Sequence, residues 1–402
     1  MLTLGSTSVM ASSTGATSNA IVPKKYSREI VLLVTLLLLL AFAIFTAFAA
    51  RLYHKKYHVL GDEWFARGEK DFHFGNAMAA LRDYRNALLY SPANTEFQFH
   101  LAQALAANGR NEEARAYLLA LLSDSPGSGE INLELARIAA EDGAKMTPDA
   151  LRYYHAAIYG VWDNDPIARR WQVRRELCEY LLNNNEMNQA EAEIVALADN
   201  TSPEDIPAQK AAGNLLLRTR MWSRALQEFQ TVLSQDPDDE DALAGAATSA
   251  FELAQYAEAD QYLERLPREK LASPELARMH EISRRVVYLN PFGRGLSTEE
   301  KAKRTSEAIA LARSRAAACQ LQSGGGSPGD SSKAALSSAL ATLDRHAADW
   351  TGRDLRKSPD RIEPAMSAVF EIEDAVSKLC GEPQGADYAL WLLARRRSGN
   401  SR

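Results

Sequence analysis

Residues 61–94 read GDEWFARGEKDFHFGNAMAALRDYRNALLYSPAN, and residues 206–239 read IPAQKAAGNLLLRTRMWSRALQEFQTVLSQDPDD. Laid one under the other, they put Gly68 over Gly213, Ala80 over Ala225, Tyr84 over Phe229, Ala87 over Val232 and Pro92 over Pro237. Between them, Ala114, Leu118, Leu121 and Pro126 repeat Ala80, Tyr84, Ala87 and Pro92 after 34 residues. Apolar residues within each frame recur at helical spacing, and Gly or Pro punctuates the frame, so each frame predicts two helices. Small residues such as Gly68, Ala80 and Ala87 admit close helix crossings, while Trp64, Tyr84 and Phe229 are expected to fill the gaps. Each hairpin keeps an apolar face that only the next hairpin covers, which predicts a stacked array.

A 34-residue unit of two helices with a terminal Pro resembles the tetratricopeptide repeat (TPR) family. Six units follow the frame. The first starts near Gly61 and departs from the family at Asp71, where a tyrosine is usual and Phe72 is the nearest aromatic. The second starts near Thr95, with Leu101, Ala102, Leu105 and Ala114 in place. The third, from about Gly129, holds Leu135, Ala136 and Ala139 and needs an insertion before Ala150, Tyr154 and Ala157. The fourth starts near Trp171, the fifth near Ile206 and the sixth near Glu240, and residues 272–290 resemble an incomplete seventh. The resemblance implies an all-α fold, a right-handed α-solenoid over residues 61–290, and a concave groove that binds a protein or peptide segment without chemistry.

Outside the array, Ile30 to Ala50 is a run of 21 residues in which only Thr35 and Thr46 are polar. At about 1.5 Å per residue it spans about 30 Å, the thickness of a bilayer's hydrocarbon core. The expected order is therefore a disordered tail (1–29), a transmembrane helix (30–50), a juxtamembrane segment (51–60) and then the repeats. A cleaved signal is the competing reading, since Ala47-Phe48-Ala49 has the small-x-small form of a peptidase site. Lys24, Lys25 and Arg28 before the run balance Arg51, Lys55 and Lys56 after it, so the positive-inside rule does not decide orientation. The short uncharged tail resembles that of an uncleaved signal anchor, which places the repeats on the exported, periplasmic or extracellular side.

Beyond the repeats, a helical extension (291–322), a flexible Gly/Ser linker (323–332) and a helical C-terminal region (333–402) are expected, the last as a cap on the array. Cys319 and Cys380 flank the linker at the ends of two predicted helices. They either form a disulfide, worth up to about 4 kcal/mol in chain-entropy terms, or stay as separate thiols. Cys178 falls on a small-residue packing position. No phosphate loop, HExxH, GxSxG or dinucleotide fingerprint occurs, and three cysteines are too few for a four-cysteine zinc site. His54 and His58 share a helix face but lack a third ligand, and with Tyr53 and Tyr57 they suit an interfacial belt. No metal, cofactor or nucleic-acid partner is expected, the net charge of −6 being wrong for the last.

Ten acids within residues 224–265, and Arg169, Arg170, Arg174 and Arg175 around Trp171, read as solvated helix surface. The family frame implies groove positions Phe65, Glu69, His73, Phe99, Gln103, Leu133, Arg137, Arg175, Glu179, Lys210 and Asn214. Lys210 and Asn214 also match the start of the carboxylate clamp of chaperone-binding members. Gly245 then replaces the clamp's next asparagine, and Glu275 and Met279 stand where its basic residues belong, so clamp function is not expected. The chain reads as a membrane-anchored scaffold; anchored bacterial relatives imply envelope assembly, secretion or polysaccharide export. The other readings are an enzyme using the C-terminal region, with His346 and Asp344 as first candidates, and a cleaved secreted binding protein.

Overall fold

The computed structural model describes residues 24–141, 148–322, 330–383 and 387–399. Of the expected disordered tail (1–29), residues 1–23 lie outside the described residues and 24–29 are helical. Of the expected linker (323–332), 323–329 lie outside them and 330–332 are helical; the side chains of Tyr53 and His54 also lie outside them. Among the described residues the secondary structure is helical, apart from one isolated bridge between Ser128 and Val161.

The chain divides into two compact units, residues 1–125 and 126–402. The first holds α1 (Lys24–His73), α2 (Ala77–Tyr90), α3 (Thr95–Ala107) and α4 (Asn111–Asp124). The apolar run, the juxtamembrane segment and the first repeat helix, which the sequence suggested as separate pieces, are one unbroken helix of 50 residues. No Pro or Gly interrupts it before Gly61, and Gly61 abuts Ser91 and Phe97. Within α1, Arg28–Arg51 is 24 residues of mean hydropathy 3.0 with nothing buried, which suits a membrane span or a signal sequence.

The second unit continues the hairpins with α5 (Gly129–Glu141), α6 (Pro148–Ile158), α7 (Pro166–Asn183), α8 (Met187–Asp199), α9 (Ile206–Arg218), α10 (Trp222–Gln235), α11 (Glu240–Glu252) and α12 (Tyr256–Glu264). The fourth repeat begins five residues before Trp171, because Asp165 caps α7 by accepting from the Ala168 amide and Pro166 sets its first turn. Asp205 and Asp239 cap α9 and α11 in the same way. The turns inside five hairpins use a left-handed residue: Gly75, Gly109, Asn185, Arg220 and Ala254. Glycine carries that conformation without a Cβ clash, so Arg220 and Ala254 hold strain that the neighbouring packing sustains.

Close crossings fall where the small residues predicted them. A Cβ on Gly68 would meet the Tyr84 ring at 2.6 Å, and one on Gly213 would meet Phe229 at 2.8 Å. Tyr84 and Phe229 are fully buried, whereas Trp64 is only half-buried beneath the Arg67 guanidinium. The third hairpin closes differently. Gly129 donates to the Val161 carbonyl at 2.9 Å, and Trp162 packs so tightly on Gly129 that a Cβ there would lie 2.3 Å from the ring.

The incomplete seventh repeat is one helix, α14 (Pro274–Leu289), after the single turn α13 (Arg268–Leu271). Its missing partner is replaced by α15 (Thr298–Gln322) and α19 (Tyr388–Gly399), which pack on α14; α18 (Ile362–Cys380) packs on both of these and on α16 (Asp330–Arg345), all in one core. Ile282, Val286 and Leu289 of α14 share one buried core with Leu336, Met366, Val369, Ile372 and Leu390. The short α17 (Gly352–Lys357) and the 3-10 turn Pro359–Arg361 were not anticipated; Thr351 caps the former.

Candidate functional site

The groove positions named from the family frame lie on the first helix of each hairpin. In the first unit they converge. Glu69 accepts from the Tyr84 hydroxyl at 2.5 Å and lies 2.8 Å from His100 Nδ1. Phe65 stacks on Phe97 with centroids 4.6 Å apart and meets His100 edge-on. Phe65 is therefore committed to packing between two hairpins, and so is Glu69 to a polar cluster. His73 is exposed, and Phe99 and Gln103 are half-exposed.

In the second unit the first helices are joined by ion pairs. Arg137 holds Glu176 through two nitrogens at 2.9 and 2.8 Å, and Glu176 also accepts from Tyr154. Glu179 pairs with Arg218 at 2.5 Å. Lys210 reaches Asp239 at 2.9 Å and Asp241 at 3.3 Å, and Asp241 in turn holds Lys270. The Lys210 and Lys270 amines pull Asp241 below the usual carboxylate range. Leu133 is buried in the apolar core and offers little surface. Arg175 and Asn214 remain exposed. Arg137–Glu176 and Glu179–Arg218 are both separated by 39 residues, a charge periodicity that the family frame alone did not reveal.

Lys210 is thus engaged by acids, Gly245 lies against Phe229 where a Cβ would come within 2.3 Å, and Met279 is buried. His346 stacks on Trp350 and Asp344 pairs with Arg313, so the two C-terminal candidates face different neighbours. His58 lies 3.1 Å from the Ser91 hydroxyl, and Tyr57 meets Tyr90 edge-on. Of the arginines around Trp171, Arg174 pairs with Glu193, Arg170 donates to the Gly160 carbonyl and Arg175 faces the indole.

The second unit also carries a cleft of about 1160 Å³ between α12, α14 and α15, lined by Asp260, His280, Arg284, Tyr288 and Leu311 among others. It was invisible in the sequence because its walls come from the last repeat and the unmatched C-terminal region.

Cys319 and Cys380 are joined as a disulfide between the ends of α15 and α18, with Cα atoms 5.9 Å apart. Cys178 is buried, and that burial pushes its thiol up to about 12. Burial likewise raises Tyr256 to about 12 and lifts Tyr84 and Tyr154 well above the ordinary tyrosine range. These groups keep their protons in the folded chain while the unfolded chain ionises near pH 9–10. Stability is therefore expected to fall as pH rises from about 9 toward 12. Thermal melts at pH 8 and pH 10.5 check this, and an unchanged melting temperature would contradict it.

Residues 72–138 and 216–281 match the family model of the tetratricopeptide repeat. The chain carries tetratricopeptide repeats over these two stretches. Among solved structures, a tetratricopeptide repeat protein from Parabacteroides merdae is 16% identical, over 62% of this chain and 91% of that one, with a TM-score of 0.36. PilW, a widely conserved type IV pilus biogenesis factor, is 17% identical over 55% and 97% of the two chains, at 0.37. A thermophilic TPR protein of Thermus thermophilus is 18% identical over 47% and 98%, at 0.30. These likenesses concern the fold alone. No curated protein sequence matches the chain.

Proposed function

We propose that this chain is a membrane-anchored scaffold without catalytic activity, whose repeats bind a protein or peptide segment along the face formed by the first helices. Residues 61–290 act as the binding array and residues 291–402 as its cap. The observation that carries the reading is the run of hairpins in the second unit whose first helices are tied to one another by ion pairs, leaving Arg175 and Asn214 exposed beside them. A surface preorganised in this way binds with little ordering cost. The apolar part of α1 serves as the anchor. The Cys319–Cys380 disulfide supports an exported location, since such bonds persist in oxidising compartments. Envelope assembly, secretion and polysaccharide export are the settings in which an exported scaffold of this kind would find its partner.

Photo-crosslinking in the native membrane tests the binding face. A crosslinking amino acid at Arg175 or Asn214 is expected to capture a protein, while one at exposed Glu258 on α12 captures none. The reverse pattern would place the binding surface elsewhere. Protease added to intact spheroplasts is expected to remove the repeats; full protection until lysis would place them in the cytoplasm.

A further inference from the structure

The cleft beside α14 has one corner whose chemistry the scaffold reading does not use. Asp260 and Glu264 stand four residues apart on α12, hence on one helix face. His280 projects from α14, which packs against α12. One ligand atom from each of the three lies within 4.8 Å of the others. Asp260 Oδ1 and His280 Nε2 are 3.5 Å apart, both shielded from solvent, and neither has a hydrogen-bond partner. With a protonated imidazole they form an ion pair, but with a neutral one both buried atoms lack a partner, which is costly unless something bridges them.

We infer that Asp260, Glu264 and His280 bind a divalent transition-metal ion, with zinc as the best fit to one imidazole and two carboxylates. The spacing carries the assignment. Zinc bonds to histidine nitrogen and carboxylate oxygen are about 2.0–2.2 Å, so two ligands on a tetrahedral ion sit about 3.4 Å apart. The Asp260–His280 separation of 3.5 Å matches that edge. Glu264 is exposed at the end of α12 and closes the third position from the solvent side. Three protein ligands leave a coordination position for water or for a partner's side chain in the cleft. Arg284 also acts on Asp260 and is the competitor for its charge.

Full-length protein without a histidine tag, in detergent and stripped with chelator, is titrated with zinc by calorimetry. One zinc per chain is expected. His280→Ala and Asp260→Asn are each expected to weaken binding by at least about 100-fold, more than loss of an outer partner does, while His346→Ala leaves it unchanged. No binding to the parent protein, or binding that survives both substitutions, would overturn the assignment. A second measurement needs no variant. Zinc is expected to protect His280 from diethyl pyrocarbonate more than His346, and equal modification of His280 with and without zinc would also overturn it.

Discussion

Phe229→Ala is expected to lower the unfolding free energy by about 3–5 kcal/mol, the range for emptying a large aromatic from a packed core. The ring is fully buried on α10 and touches the helix on either side, where Gly213 of α9 and Gly245 of α11 leave it room. Neither glycine can take a side chain without moving the ring, so the cavity left by alanine has no neighbour ready to fill it. In a repeat array each hairpin is held by its neighbours, and the loss should uncouple the fifth repeat from the sixth. Chemical denaturation of the full-length protein, followed by circular dichroism, reads the effect. Gly245→Ala should also destabilise, by about 1–3 kcal/mol from overpacking. In the Phe229→Ala background that penalty should vanish, because the clashing ring is gone. A loss below about 1 kcal/mol for Phe229→Ala would show that the array does not depend on this contact.

The same three residues show what was legible in the sequence. Gly213 and Phe229 stood in the frame that disclosed the repeats, so their packing followed from period and residue size. Gly245 was read only as a missing clamp asparagine; its true constraint is the Phe229 ring 2.3 Å from where a Cβ would sit. A frame reports which positions are small but not which neighbour makes them so. Phe65 shows the converse: placed on the groove by frame, it is stacked on Phe97 from the next hairpin. The single-helix continuity of α1 was missed because charges near residues 51–56 look like a boundary, although charge alone does not stop a helix. The cleft and the Asp260–Glu264–His280 corner were illegible for a simpler reason. The corner's residues belong to two helices of unrelated register that only the packing of α14 on α12 brings together, and the cleft adds a wall from α15.

Glu373→Ala should cost about 3–5 kcal/mol, the usual penalty for leaving one member of a buried ion pair alone. Glu373 on α18 is fully buried and pairs with Arg315 on α15, itself almost fully buried. Nothing in the sequence announced the pair, since 58 residues and the linker separate its members. Removing the carboxylate leaves a mostly buried guanidinium that keeps, among the described residues, the Gly381 carbonyl at 3.4 Å and the charge of Asp387. The pair is nonetheless a poor source of net stability. Both charges pay desolvation, and one Glu373 oxygen has no hydrogen-bond partner. Replacing both residues, as Arg315→Met with Glu373→Leu, should therefore restore most of the loss or exceed the parent. That contrast separates a pair that specifies how α15 meets α18 from one that holds them together. The disulfide joins the same two helices near their C-terminal ends, so the measurement is made with it intact to keep the unfolded state comparable. If Glu373→Ala unfolds with a midpoint like the parent's, the guanidinium has found water, and the C-terminal core is looser than its burial implies.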